Sequence, residues 1–260
     1  MRIKVVSDAH ANYPALKQAT ELEDNEDFRV FLGDIVGLMG YPSETVDYIR
    51  KNYDVVLKGN HDVVVLEKGE GHVNSKKLSE FEHDYTNAGL SDEQKSWVTN
   101  RTSLVEHTFK LGDEEVNVVM AHAKPKRSSE KDKNMSAGVK KLSMGDKVAG
   151  RMSMRSASGD YDYVSLRGID KHQYKEVTEN VPSSTDYVFL GHIHQQFNVV
   201  DEDEDITLVN PGSIGQGQNT YSIVDTSSAV EERQIDFNEQ KNLSDKLKSL
   251  NRVNADSIIS

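Results

Sequence analysis

The sequence of 260 residues contains no cysteine, so a disulfide framework, a cysteine zinc site and thiol catalysis are excluded. Long apolar runs are also absent: stretches such as Val63–Leu66 and Val116–Ala121 are far shorter than the roughly 20 residues of a membrane span. An acidic residue stands at Asp8, which leaves no room for the apolar core of a signal peptide. We therefore expect a soluble cytoplasmic protein that does not bind membranes.

Basic residues are fewer than acidic ones, 31 against 43, which gives a net charge of −12. They are concentrated in segment 124–155, which holds ten basic and three acidic residues and leaves the rest of the chain strongly acidic. Duplex nucleic acid usually meets a broadly basic face, so this distribution makes it an unfavourable partner. The basic segment fits an anionic substrate, or it is a solvated loop with no such role.

The first hundred residues alternate between strand and helix patterns. Strands are predicted at Ile3–Val6, Arg29–Leu32 and Asp54–Leu57, and helices at Tyr13–Leu22 and at Ser43–Lys51, with Ser43 as the cap. This βαβαβ order predicts parallel strands joined by helical crossovers.

Beyond residue 101 the sequence turns to a series of short strand-like runs. They are Leu104–Phe109, Val116–Met120, Asp186–Leu190, Phe197–Val200, Ile206–Val209 and Tyr221–Val224. The acidic run Asp201–Asp205 predicts a hairpin loop, and Ser91–Gln94 has the spacing of a helix capping box. A stretch rich in Gly, Ser and Met at about 124–180 predicts an inserted basic flap. We expect one domain at 1–236 that contains this flap, and a C-terminal helix and tail at 237–260.

Five of the strand-like runs end in residues that bind metals or transfer protons. These ends are Asp8-Ala9-His10, Gly33-Asp34, Gly59-Asn60-His61-Asp62, His122 and Gly191-His192-Ile193-His194. The carboxyl ends of strands in an α/β sheet converge on one edge, so we expect these side chains to meet there. The other histidines, His72, His83, His107 and His172, fall outside this pattern and are assigned no function.

Oxygen and nitrogen ligands without sulfur suit Mn²⁺, Fe, Zn²⁺ or Co²⁺ better than Ca²⁺, and the residues are too many for one ion. A central carboxylate such as Asp34 can bridge two ions. Two ions that share a bridging hydroxide clamp the attacking and leaving oxygens of a displacement at phosphorus. The pattern therefore predicts phosphoester hydrolysis.

This set of motifs resembles the calcineurin-like metallophosphoesterase superfamily from Met1 to about Asp225, and Asn210–Ser213 is similar to its bacterial and archaeal phosphatase-like members. The resemblance implies an α/β fold, a four-layer α/β/β/α sandwich with two mixed β-sheets. It implies two divalent ions, with Mn²⁺ favoured and Fe, Zn²⁺, Co²⁺ or Ni²⁺ as alternatives. The implied ligands are Asp8, His10, Asp34 and His194 for the first ion, and Asp34, Asn60, His122 and His192 for the second. The implied catalytic residues are His61, which touches phosphate and protonates the leaving oxygen, and Asn60, which also faces the substrate.

The second motif departs from that of the serine/threonine protein phosphatases, which continues as Gly-Asp-x-Val-Asp-Arg-Gly. Here it continues as Ile35-Val36-Gly37-Leu38, without the Asp that orients the catalytic His and without the phosphate-binding Arg. We expect Asp62 to orient His61 instead, and Arg151 or Arg155 of the flap to bind the phosphate.

Three functions fit these motifs. The first is a phosphatase that acts on phosphomonoesters, either small phosphoesters or phosphoserine, phosphothreonine and phosphotyrosine in a phosphorylated protein. The second is a phosphodiesterase or dinucleoside polyphosphate hydrolase, which the missing Arg favours because a dianionic monoester gains more from such a cation. The third is a non-catalytic scaffold, which is disfavoured because every implied metal ligand is present. We favour the first.

Overall fold

The structure is a computed structural model that describes residues 1–22, 25–38, 40–68, 76–123, 175 and 177–237. Most of the predicted flap, including Arg151 and Arg155, lies outside the described residues, as does the chain beyond residue 237. The predicted domain boundaries, the flap and the C-terminal helix therefore stay predictions.

The described chain folds into helices and strands in a mixed order. The helices are α1 (Tyr13–Glu21), α2 (Pro42–Asn52), α3 (Asn60–Val63), α4 (Lys76–Gly89) and α5 (Asp92–Thr99), and a π-helical turn (Val64–Lys68) follows α3. The strands are β1 (Arg2–Val6), β2 (Phe28–Phe31), β3 (Val55–Val56), β4 (Leu104–Leu111), β5 (Glu114–Ala121), β6 (Tyr187–Leu190), β7 (Gln196–Asp201), β8 (Ile206–Pro211), β9 (Thr220–Asp225) and β10 (Ala229–Gln234). Within the described ranges, none of the helices is long and apolar enough to cross a membrane.

The strands form two mixed sheets. The first sheet has the order β10-β9-β1-β2-β3, in which β1, β2 and β3 are parallel, as their βαβαβ order predicts, and β9 and β10 are antiparallel. The second sheet has the order β4-β5-β6-β8-β7, with β5, β6 and β8 parallel and an antiparallel strand at each edge.

Apolar residues hold these layers together at three levels. One cluster packs the helices, for example Leu16 of α1, against the outer face of the first sheet. A second cluster, with Val5 and Phe189, fills the space between the two sheets. A third covers the outer face of the second sheet, where Val177 packs near Leu208. The predicted α/β fold with two mixed sheets is confirmed.

Local signals in the sequence have mixed outcomes. The capping box is confirmed: the Ser91 hydroxyl accepts from the Gln94 N–H at 3.2 Å, and Gln94 Oε1 accepts from the Ser91 N–H at 3.0 Å. Asp201–Asp205 leads through the turn between antiparallel β7 and β8, as predicted. The Ser43 cap is wrong, because α2 already begins at Pro42, whose fixed φ suits the first turn of a helix. The patterns also miss β10, an edge strand whose charged residues hide the alternation.

A lysine is buried inside this fold. Lys4 of β1 donates from Nζ to the carbonyl oxygens of Ala19 and Thr20, at 3.2 and 3.0 Å, where the C-terminal end of α1 favours a cation. Its Nζ lies 2.9 Å from Glu26 Oε1, and both side chains are almost fully buried. Burial raises the pKa of Glu26, but hydrogen bonds from Lys4 and Arg29 outweigh it and the pKa is lowered. Lys4 therefore fixes two parts of the chain to the first sheet: the end of α1, through the carbonyl oxygens of Ala19 and Thr20, and the segment before β2, through Glu26.

Replacing Lys4 with alanine is expected to lower the free energy of unfolding by about 3–5 kcal/mol, because it breaks the buried ion pair with Glu26 and leaves Arg29 as the remaining cation beside that carboxylate. The matched control is Lys110→Ala, which removes the exposed Lys110–Glu115 pair at 3.2 Å and is expected to cost roughly 0–1 kcal/mol. Urea unfolding of both variants measures the difference. Equal, small losses would contradict the structural role of Lys4.

Another buried titratable group makes the stability depend on pH. His107 of β4 is 8% exposed and packs against the rings of Phe28 and Phe109, with centroids 5.9 and 4.2 Å away. Burial lowers the pKa of His107 from its ordinary value of 6.5, so the folded chain resists protonation more than the unfolded chain does. The contribution of the neutral His107 to the free energy of unfolding is therefore complete above pH 6.5 and is lost as the pH falls below 6.5.

We expect His107→Phe to reduce the acid sensitivity of the fold. The free energy of unfolding of the unmodified chain should fall more steeply between pH 7 and pH 5 than that of the variant, as measured by urea unfolding at several pH values. Parallel pH curves for the two proteins would show that His107 does not carry this dependence.

Candidate metal centre and active site

The side chains predicted to bind metals lie at the carboxyl ends of strands in both sheets. The first sheet supplies Asp8 and His10 after β1, Asp34 after β2 and Asn60 after β3. The second sheet supplies His122 after β5 and His192 and His194 after β6. The site therefore lies where the same edges of the two sheets meet, and each sheet contributes part of it.

Four of these residues form a first set. Asp8, His10, Asp34 and His194 each offer a ligand atom, and these atoms all lie within 4.8 Å of one another. His194 Nε2 lies 3.2 Å from Asp8 Oδ1 and 3.0 Å from His10 Nε2. These are the residues that the resemblance to the superfamily assigns to one ion.

A second set surrounds the Asn60 side chain. Asn60 Oδ1 lies 3.0 Å from His122 Nε2 and 2.8 Å from His192 Nδ1. Asp34 reaches both sets, because its Oδ2 lies 3.4 Å from His122 Nε2 and 3.9 Å from His10 Nε2. Asp34 thus lies where a carboxylate shared by two ions is expected.

The residues present fit divalent cations. Asp8 and Asp34 are buried in the same cluster, and two buried like charges are costly without a cation nearby. Asp8 Oδ1 is buried and accepts no well-formed hydrogen bond, although His194 Nε2 lies 3.2 Å away. Carboxylate, amide and imidazole donors without sulfur are the set that first-row transition metals use.

Both carboxyl groups of the centre are held in the ionised form. Burial raises the pKa of Asp34, but the charges of His122 and His61 outweigh it and hold the pKa well below its usual range. Burial also opposes ionisation of Asp8, yet the nearby His194 imidazole and the charge of His122 keep the pKa of this carboxyl lowered. Ionised carboxylates are the form that a cation requires.

The imidazoles are divided between neutral and charged forms. Burial lowers the pKa of His10 to about 3, so its ring is neutral and can offer a lone pair. Burial opposes the charge of His122 as well, but Asp34 outweighs it and raises the pKa to about 9. Binding of a cation by His122 must therefore release a proton.

The backbone at the ligands is strained. Five of the seven predicted ligands have φ between 47° and 73°, namely Asp8, His10, Asp34, His192 and His194. Such left-handed conformations are uncommon outside glycine and cost on the order of 1–3 kcal/mol where they are sparsely populated. The loops after β1 and β2 hold each other in place, because Asp8 N–H donates to Gly33 O at 3.0 Å and His10 N–H to Asp34 O at 2.9 Å.

The predicted catalytic histidine is placed through Asp34. The backbone N–H of His61 donates to Asp34 Oδ1 at 2.8 Å. The partly exposed His61 ring packs edge-on against the His10 ring, with centroids 4.7 Å apart. The preceding Gly59 allows no side chain, since a Cβ there would lie 2.1 Å from Asp34 Oδ1. His61 is therefore next to the first set of ligands and open to a substrate.

Asp62 differs from its expected role. Its carboxylate accepts three backbone N–H groups, from Gly59 at 2.9 Å, Ile35 at 3.2 Å and Val36 at 3.0 Å. The hydrogen bonds described for Asp62 do not include the His61 ring. Asp62 ties the loop after β2 to the loop after β3, because its carboxylate accepts from buried N–H groups of both loops.

Two further polar residues contact the site from behind. Asn210 and Ser213 bond to the backbone of the ligand-bearing loops, and the sequence assigned them no chemical role. The available signal was the Asn-Pro-Gly-Ser motif, which resembles the superfamily but does not reveal its contacts. Arg151 and Arg155, the proposed phosphate ligands, lie outside the described residues.

Comparison with known families agrees with this geometry. A family model of the calcineurin-like phosphoesterase superfamily domain matches residues 1–229. The chain belongs to the calcineurin-like phosphoesterase superfamily. The family depends on divalent metals, which agrees with the Asp and His cluster described above.

This phosphoesterase has distant relatives. An uncharacterised protein of Methanocaldococcus jannaschii is 25% identical over 229 residues, which cover 82% of this chain and 76% of the relative. The structure of a metallophosphoesterase from Sphaerobacter thermophilus is 18% identical with a TM-score of 0.62, and covers 96% of this chain and 95% of that one. A hypothetical protein from Pyrococcus horikoshii OT3 is 16% identical with a TM-score of 0.66, at 96% and 93% coverage. These structures share the fold of this phosphoesterase.

Asp34→Asn is expected to remove at least one of two bound Mn²⁺ ions, because it removes the charge shared by both sets while keeping the oxygen that accepts from the His61 N–H. The metal content of Mn²⁺-loaded, desalted protein, measured by mass spectrometry, checks this. His61→Ala is the control and should retain both ions. Full metal content in Asp34→Asn, or loss of metal in His61→Ala, would contradict the assignment.

Proposed function

We propose that this phosphoesterase is a two-metal-dependent phosphatase that hydrolyses phosphomonoesters, with phosphoserine, phosphothreonine and phosphotyrosine in proteins as its substrates. The observation that carries the proposal is the position of Asp34 between two sets of ligands, within 3.9 Å of His10 Nε2 and 3.4 Å of His122 Nε2. A centre with room for two ions fits displacement at phosphorus better than single-ion chemistry.

The proposed ligands divide between the two ions around this shared carboxylate. The first ion would be held by Asp8, His10, Asp34 and His194, and the second by Asp34, Asn60, His122 and His192. When bound, the ions supply Lewis acidity and neutralise charge on the phosphoryl group. Mn²⁺ is the proposed metal, with Fe, Zn²⁺, Co²⁺ or Ni²⁺ as alternatives.

Two residues of the loop after β3 would act on the substrate. His61 is partly exposed beside the first set, and we assign it contact with the phosphate and protonation of the leaving oxygen. Asn60 faces the same space through its contacts with His122 and His192. Asp62 supports both by holding the loop, through the N–H of Gly59, against the loop that carries Asp34.

A second candidate is a phosphodiesterase or dinucleoside polyphosphate hydrolase. The observation that favours it is the loop after Asp34, where Gly37 and Leu38 replace the Asp and Arg of the protein phosphatases. A Cβ at Gly37 would lie 3.2 Å from His61 Nδ1, so this position faces the catalytic ring but offers it no carboxylate. A monoanionic diester loses less than a dianionic monoester when the cation is missing. Under the phosphatase proposal, Arg151 or Arg155 supplies that cation.

The deciding experiment is a ratio of activities. Protein stripped of metal and reloaded with Mn²⁺ is expected to hydrolyse p-nitrophenyl phosphate with a higher kcat/KM than bis(p-nitrophenyl) phosphate, with Asp34→Asn as the inactive control. A preference for the diester would replace the phosphatase proposal with the phosphodiesterase. Inertness towards both would favour a non-catalytic scaffold.

Substrates with different leaving groups distinguish proton donation by His61 from the contribution of the metals. His61→Ala should lower kcat by about 10²–10⁴-fold on a phosphoserine peptide, the usual contribution of a general acid. The loss should be smaller with p-nitrophenyl phosphate, whose leaving group needs little protonation. Equal losses on both substrates would contradict proton donation by His61.

A further inference from the structure

The metal centre depends on contact between loops that belong to different sheets. Asp8 follows β1 of the first sheet, and His192 and His194 follow β6 of the second. The two loops touch directly: His192 N–H donates to Asp8 Oδ2 at 3.1 Å, and His194 Nε2 lies 3.2 Å from Asp8 Oδ1. A small shift of one sheet against the other would therefore separate the ligands of the first ion.

The connection from β8 to β9 crosses between the sheets behind this contact. It leaves the second sheet after Pro211, and the residue before that proline in β8 is Asn210, which is 1% exposed. The Asn210 amide donates from Nδ2 to Gly191 O at 2.8 Å, and its Oδ1 accepts from the Gly212 N–H at 2.9 Å. Asn210 thus fixes the residue that directly precedes His192.

The same connection then forms hydrogen bonds with the loop that carries Asp8. The Ser213 hydroxyl, on a residue that is 1% exposed, donates to Asp8 O at 2.8 Å and accepts from the Gln216 N–H at 2.9 Å. Asp8 O also accepts from the Gly215 N–H at 3.0 Å. The two loops are packed so closely that a side chain at position 215 would clash, since a Cβ at Gly215 would lie 2.1 Å from Ala9 O.

We propose that Asn210 and Ser213 are positioning residues that set the distance between the ligand-bearing loops of the two sheets. Neither is among the proposed ligands; each acts through a backbone carbonyl, at Gly191 on one side and at Asp8 on the other. Asp8 needs such a restraint because its backbone has φ 56°, an unfavourable conformation that persists only when the surrounding structure supports it. The inference rests on the proposed two-metal function.

The first test is Ser213→Ala, with metal binding as the readout. Groups that support metal ligands typically change the affinity about 10–100-fold, so one Mn²⁺ should bind about tenfold or more weakly while the other is retained. Titration of metal-stripped protein with Mn²⁺, followed by the electron paramagnetic resonance signal of the free ion, gives both affinities. Ser213→Thr keeps the hydroxyl and should restore the lost affinity.

The matched control is Ser222→Ala in β9. Ser222 is fully buried, and its hydroxyl has no hydrogen-bond partner within the described part of the chain, so its removal tests the loss of a buried hydroxyl alone. This variant should bind both Mn²⁺ ions with unchanged affinity. Its thermal midpoint without metal is compared with that of Ser213→Ala, which separates general destabilisation from an effect on the site.

Asn210→Ser provides an independent variant. Its side chain is too short to reach Gly191 O, and His192 and His194 belong to different ligand sets, so both Mn²⁺ ions should bind more weakly. If this variant does not fold, the comparison of Ser213→Ala with Ser213→Thr decides.

The proposal is overturned if Ser213→Ala binds both ions as the unmodified chain does, or if Ser222→Ala loses as much affinity. It is also overturned if the unmodified chain binds no Mn²⁺. Because Mn²⁺ binding is measured without a phosphoester, a chain that binds two ions and hydrolyses neither ester would refute the proposed function and leave this inference standing.

Discussion

The relative position of the two sheets is the constraint on which the candidate metal centre depends, because neither sheet carries a complete set of the proposed ligands. The first sheet brings both carboxylates, the amide and one imidazole, and the second brings three imidazoles. Their separation is set directly beneath the site by the apolar layer that contains Val5 and Phe189. Protein interiors are close-packed, so this layer resists sliding and transmits its geometry to the site. A change of volume in the core between the sheets is therefore also a change in the distances between ligands.

Charge and strain meet at the same residues. Asp34 accepts from the His61 N–H, faces His122 and His10, and has a left-handed backbone. Burying a carboxylate and holding its backbone in a left-handed conformation both cost free energy. Contacts with neighbouring residues must therefore stabilise Asp34 in this position. The backbone bonds between the loops after β1 and β2 and the clamp made by Asp62 supply that support. Favourable interactions elsewhere in the fold, for example the buried Lys4–Glu26 pair, offset the free-energy cost of the strained backbone and buried charges at this site.

The sequence predicts much of this arrangement, since ligands at the ends of strands follow from topology alone. The βαβαβ order places Asp8, Asp34 and Asn60 at one edge before any distance is known. Side-chain direction is not predictable in the same way. Asp62 adjoins His61 in the chain, but neighbouring residues on a helix point about 100° apart, and Asp62 turns to backbone donors of another loop. The contacts of Ser213 are equally hidden, because they join residues 205 positions apart.

The charge of the chain bears on the choice between monoester and diester. Outside segment 124–155 the chain is strongly acidic, and such a body repels a dianionic phosphomonoester more than a monoanionic diester. The two divalent ions proposed for this edge of the sheets would reverse the sign of the potential locally, although Asp8 and Asp34 would cancel part of that charge. A monoester therefore needs a further cation, and the loop after Asp34 carries none, since Gly37 and Leu38 stand where the protein phosphatases place Asp and Arg. Under the phosphatase proposal, the net positive charge of segment 124–155 would supply this cation. Under that proposal, preference for a monoester should therefore depend on this segment, whereas diester hydrolysis would need only the residues that the two sheets bring together.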